Sequence, residues 1–198
     1  LHTVEDIKSG IERASWYSSC FFDKYINECN QLKSEDKRFL KALAELYKHP
    51  NIVTEMMEMF IDEEINKSNI TKIQELDMQL TKFLAGYYSG RATKAAIASS
   101  LSTLIINSPG FSNSVFNQIN RRSMIVVTAA SFYGKVQYAA QQARRLQLLY
   151  PSLYMAYYNK GIEMLYFIFS EKVDYALRYS AGLNGEKIFI HIIQNLAK

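Results

Sequence analysis

"FLAGYYSGRATKAAIASSLSTLII", residues 83–106, carries helical periodicity but almost no bulk. Gly86, Gly90, Ala92, Ala95, Ala96, Ala98, Ser99, Ser100 and Ser102 are all small. The spacing predicts a helix over about 91–107, following one over 69–89 whose stripe is Ile73, Leu76, Leu80, Phe83, Leu84 and Tyr87. A helix this bare invites a neighbour to approach closely, and that neighbour is either protein or lipid.

The same period runs outward in both directions. With three prolines and eight glycines in 198 residues, breakers are scarce and elements are expected to be long. Residues 3–32 read as a helix, with Thr3 as cap, Asp6 three positions later, and Ile7, Ile11, Ala14, Ser18, Phe22, Tyr25, Ile26 and Cys29 near helical spacing. Ser34 restarts the pattern, with Phe39, Leu40, Leu43, Leu46 and Tyr47 as one stripe, and Pro50 stops it. Asn51 can cap "IVTEMMEMFIDEEINK". "NSPGFSNS", 107–114, reads as a loop, and a long helix is expected from about 114 to 149, ended by Pro151. Another covers 152–179 with Gly161 inside, before a turn at "SAGLNG". The tail "EKIFIHIIQNLAK" suits either strand or helix, and helix is preferred because no partner strand exists. The expected fold is all-α, a globular bundle of seven or eight helices. It is read as a single helical domain over 1–198, with an acidic helical layer over about 3–90, a basic, charge-poor core over about 91–180 and a C-terminal helix over 186–198.

Composition is that of a folded globular protein, 48% hydrophobic and 21% charged. The charge is unevenly placed. Residues 1–80 hold fifteen acidic and ten basic side chains, a net of −5; residues 81–198 hold thirteen basic and four acidic, a net of +9. No acidic residue occurs in the 85 positions between Asp77 and Glu163. Two explanations stand side by side: the acidic and basic parts pair with each other inside the fold, or the basic part meets an external anion such as a lipid headgroup or a nucleic-acid phosphate. The candidate anion- or membrane-binding residues are Arg91, Lys94, Arg121, Arg122, Lys135, Arg144 and Arg145.

Gly86 and Gly90 have GxxxG spacing, and "SMIVVTAASFYGKVQYAAQQA", 123–143, is a second small-residue segment centred on Gly134. These three glycines are the candidate close helix contacts. Fourteen tyrosines suit boundaries with one apolar and one wet side, and Tyr150, Tyr154 and Tyr157 share a helical face. No run of 18 apolar residues spans a membrane and no signal segment opens the chain. A bacterial cytoplasmic protein, or one delivered by a secretion system, is expected. Cys20 and Cys29 on one straight helix stand roughly 13 Å apart, beyond the reach of a disulfide. They are expected to be thiols in a reducing compartment, with pairing between chains as the alternative.

Signals for catalysis are sparse. Glu45 and His49 are i,i+4, His191 sits in "IFIHII", Ser131 and Lys135 are i,i+4, and Glu55, Glu58 and Asp62 line one helix face. No phosphate-binding, dinucleotide or nucleophile-elbow motif occurs, and no cofactor, metal or catalytic residue is expected. The excised-looking start, the acid-free basic half and the segments 83–106 and 123–143 resemble the helical toxin domains of bacterial interbacterial-competition systems, contact-dependent or secretion-delivered. That resemblance implies insertion of small-residue helices, ion leakage and a cognate immunity partner. The leading expectation is a non-enzymatic antibacterial effector engaging an anionic membrane. The alternatives are an adaptor or immunity-type protein binding a protein partner, and a phosphate-directed enzyme such as a nuclease built on Glu55, Glu58, Asp62, Glu63 and Glu64.

Overall fold

The computed structural model describes residues 2–68, 93–119, 129–183 and 186–198. Among them the fold is all-α, with nine α-helices, three 3-10 segments and no strand, slightly more helices than the periodicity predicts. They are α1 (His2–Trp16), α2 (Ile26–Lys48), α3 (Ile52–Lys67), α4 (Lys94–Asn107), α5 (Pro109–Gln118), α6 (Ala129–Leu149), α7 (Pro151–Lys160), α8 (Ser170–Ser180) and α9 (Glu186–Leu196). The 3-10 segments are Tyr17–Phe21, Asp23–Tyr25 and Glu163–Ile168. The chain divides into two compact units, Leu1–Pro50 with Asn117–Ile168, and Asn51–Phe116 with Phe169–Lys198.

In the first unit α1 packs along α6. Gly10 on α1 and Gly134, Ala139, Ala140 and Ala143 on α6 are all buried. This lack of bulk on both helices lets their backbones run close together. The helix read over residues 3–32 breaks in two. Its apolar stripe does not point inward: Val4, Ile7 and Ile11 are exposed, while Gly10 and Arg13 are buried. The stripe on α2 is likewise rotated. Cys29, Leu32, Glu35, Phe39 and Ala42 are buried, whereas Leu40 and Tyr47 face solvent. The reason is that α2 starts at Ile26, well before Ser34, and its inner face is set by Cys29 and Leu32.

α7 opens on Pro151, whose missing N–H costs nothing at a first helical position. Its tyrosine face is core: Tyr150, Tyr154 and Tyr157 are buried. Gly161 ends α7 in the left-handed region at φ 72°, where its N–H reaches the Tyr158 carbonyl at 2.9 Å and the Ile162 N–H reaches Tyr157 at 3.0 Å. The expected helix over 152–179 is therefore interrupted. The following 3-10 run, Glu163–Ile168, is buried at every residue and packs on α2 and α6. Phe39 meets both Phe132 and Phe167 there, with ring centroids 6.0 and 6.3 Å apart. Glu163 is 1% exposed and accepts a 2.8 Å bond from Arg38 Nη1. Burial pushes its carboxyl above the usual carboxylate range, and the Arg38 charge opposes the shift.

In the second unit α3 packs against α4, and α8 against α9. α4 buries Ile97, Ala98, Leu101, Ser102 and Ile105, so the described part of the small-residue stretch lies against protein. Thr93 caps α4 by accepting from the Ala96 N–H at 3.2 Å. The loop expected at 107–114 is helix from Pro109 onward, with Ser108 as the break, because proline tolerates the first turn of a helix. A Cβ at Gly110 would lie 1.5 Å from the Lys198 carbonyl oxygen, so glycine is what lets these two backbones meet. α9 buries Phe189, Ile192, Ile193 and Leu196, which settles the tail as a helix. No helix among the described residues is long and apolar enough to cross a membrane.

Gly161→Ala is expected to cost about 1–2 kcal/mol, the penalty of a left-handed L-residue. A Cβ there meets only the flexible end of Lys41, so backbone strain rather than space sets the cost. Urea denaturation measures it; an unchanged midpoint would remove Gly161 as the required stop of α7.

Candidate functional site

Arg13 is fully buried, and its guanidinium joins three helices. Nε and Nη2 donate to Asp36 Oδ1 at 3.2 and 2.8 Å. Nη1 donates to Glu35 Oε2 at 3.0 Å and to Gln137 Oε1 at 2.9 Å, and Nη2 also donates to the Leu32 carbonyl at 3.0 Å. Glu35 Oε1 accepts from Arg144 Nη1, and from Gln31 Nε2 at 3.3 Å. The Tyr17 hydroxyl donates to Asp36 Oδ2. Its pKa is raised, first by partial desolvation and then by that hydrogen bond and the Asp36 charge. Two carboxylates and two guanidiniums thus neutralise one another between the last turn of α1, the middle of α2 and α6.

This network is the floor beneath an irregular crossing from α1 to α2. The chain leaves α1 in a 3-10 turn, straightens at Phe22 (φ −118°, ψ 124°), and turns again at Asp23–Tyr25. The reversal brings Cys20 and Cys29 to a Cα separation of 5.2 Å, and they form a disulfide. The expectation of two unpaired thiols is corrected here: it assumed one straight helix, and the extended residue Phe22 abolishes that geometry. Neither 3-10 turn buries a side chain. Phe21 is 88% and Phe22 63% exposed, so the crossing is an aromatic knuckle pinned by the disulfide rather than by a core.

Beneath the knuckle lies a pocket of about 590 Å³. One wall is Ser15, Trp16, Ser18 and Ser19; the other is Tyr25, Glu28, Gln31, Leu32 and Glu35; Gln137 and Arg144 close it from α6. The disulfide ties the first wall to the second. The three serine hydroxyls donate to the backbone carbonyls of Glu12, Ser15 and Trp16, which leaves their oxygens as acceptors. Lys24 Nζ sits 5.6 Å from the Tyr25 ring centroid.

Of the candidate cations, Lys94 donates to Asn66 Oδ1 at 3.1 Å in the second unit. Lys135, Arg144 and Arg145 lie on α6 in the first. Lys135 is 3% exposed, Arg144 is engaged by Glu35, and Arg145 is exposed. Only Arg144 belongs to the pocket. Gly134 is buried on α6. Arg91, Arg121, Arg122, Gly86 and Gly90 lie outside the described residues. His49 Nε2 stands 3.3 Å from Glu45 Oε2, and among the described residues no three metal-ligating side chains gather. Sequence reading overlooked Arg13, Glu35, Asp36, Trp16 and Glu28. Periodicity carried no signal for them, because it marks the opposite face of α1, with Ile7 and Ile11, as the inner one.

Two outcomes follow. Arg13→Met should cost about 3–5 kcal/mol in chemical denaturation, because it removes the buried cation that Glu35 and Asp36 share. Adding Glu35→Gln and Asp36→Asn should recover part of the loss, and no recovery would mean the network is not what Arg13 supports. Replacing Cys20 and Cys29 by serine should cost about 2–3 kcal/mol. Hydrogen exchange should rise over residues 17–28 while α6 stays protected; unchanged exchange there would show that the knuckle holds itself. No protein-family model, curated protein or solved structure matches the chain, and its function rests on its own geometry.

Proposed function

We propose that the chain is a partner-binding module, an all-helical adaptor or immunity-type protein that holds a protein partner at the disulfide-pinned knuckle. One observation carries the reading. The apolar side chains Val4, Ile7 and Ile11 of α1 look outward, and Trp16, Phe21, Phe22, Tyr25 and Ile26 continue as exposed hydrophobics around the crossing. Water-facing aromatics held in one conformation by a covalent tie lose little entropy on binding, which is how interface anchors gain affinity. The disulfide supports residence in an oxidising compartment, such as a periplasm or the cell exterior.

The effector reading, an antibacterial chain acting on an anionic membrane, remains as a second proposal. It is favoured by the same exposed aromatics, which flank Lys24 and would suit a headgroup interface.

A photo-crosslinking residue in place of Phe21, in the cell of origin, separates the two. One discrete protein adduct, lost when Cys20 and Cys29 are replaced, is the expected result. Absence of any protein adduct, together with binding to anionic vesicles and depolarisation of bacteria exposed to the chain, would replace this reading with the effector one.

A further inference from the structure

The pocket beneath the knuckle has a chemistry of its own. Its lining includes an exposed carboxylate and three serine hydroxyls. The oxygens of Ser15, Ser18 and Ser19 accept because their protons are committed to backbone carbonyls. Glu35 already accepts from Arg13, Gln31 and Arg144. Glu28, exposed at the pocket wall, has no ion-pair or hydrogen-bond partner among the described residues. The charged lining residues, Glu28, Glu35 and Arg144, leave one net negative charge. Trp16 offers an aromatic surface beside it, and Lys24 over Tyr25 shows within the chain itself how these rings hold a cation.

We propose that this pocket binds an organic cation, an alkyl ammonium or guanidinium, with the charged head on Glu28 and the serine oxygens and the stem against Trp16. The source is either a Lys or Arg side chain of the partner or a free amine. The first source rests on the partner-binding reading; the cation chemistry does not. An anionic ligand would have to use the remaining N–H groups of Arg144, whose Nη1 is bonded to Glu35.

Trp16 is the chain's only tryptophan, so its fluorescence reports the pocket directly. The oxidised full chain is titrated with n-butylammonium and n-butylguanidinium, and with n-butyrate and n-butanol as controls of equal length. A saturable change with the two cations alone is expected. Glu28→Gln should weaken it by about tenfold or more, the scale of one charge-assisted hydrogen bond. Glu28 is exposed, so that variant should keep its fold, which circular dichroism checks. Saturation by butyrate that disappears in Arg144→Gln would overturn the proposal in favour of an anion site. No saturable change with either cation, or an unchanged affinity in Glu28→Gln, would overturn it outright. A capped peptide carrying Lys or Arg then identifies the source of the cation: tighter binding than the free cation assigns it to a partner chain, and equal binding assigns it to a free amine. Cation binding without a Phe21 crosslink would keep the proposal and sink the partner reading; a Phe21 crosslink without cation binding would do the reverse.

Discussion

A guanidinium with no exposure must find an acceptor for every N–H, and Arg13 finds them on two neighbouring helices. Its five hydrogen bonds reach α2 through Asp36, Glu35 and the Leu32 carbonyl, and α6 through Gln137. The register of α1 follows from this. For Arg13 to point inward, the face that carries Val4, Ile7 and Ile11 must point outward, against the usual hydrophobic preference. Small side chains make the arrangement possible, because Gly10, Gly134 and the α6 alanines let the helices approach closely enough for the guanidinium to reach both neighbours.

The consequences extend to the crossing from α1 to α2. Asp36 accepts from Tyr17 as well as from Arg13, so the network anchors the first residue beyond α1. From there to Tyr25 no side chain is buried, and the disulfide supplies the constraint that a core would supply elsewhere. A segment built this way is free to present large aromatic surface to water, since its conformation does not depend on hiding that surface. The exposed aromatic surface and the pocket thus derive from one ionic cluster and one covalent bond.

The charge asymmetry has a partial answer inside the first unit. Arg144, from the acid-free interval, pairs with Glu35 of the acidic part, and Glu163, the acid that closes the interval, pairs with Arg38. Lys135 is buried rather than displayed. The Arg144–Glu35 pair and the burial of Lys135 reduce the positive charge that the interval offers to an external anion, which is why the proposed binding surface rests on α1 and the knuckle rather than on the basic interval.

The all-α class was legible in the sequence, since breakers are few and apolar residues recur at helical spacing. So were the stops at Pro50 and Pro151, where a missing N–H and ring sterics act whatever the surroundings. The tail was ambiguous by pattern, and only the want of a partner strand pointed to the helix that is found. What local pattern could not convey was which face of a helix turns inward. Periodicity marks an apolar stripe on α1, but whether that stripe or Arg13 is buried depends on acceptors contributed from 19 to 124 positions away. The disulfide was hidden for a related reason: the separation of Cys20 and Cys29 depends on one extended residue, Phe22, whose identity carries no turn signal. The sequence by itself determined what the chain would repeat and where it would stop. Long-range electrostatic satisfaction, felt only once α1, α2 and α6 are assembled, decided which surface the molecule shows to solvent.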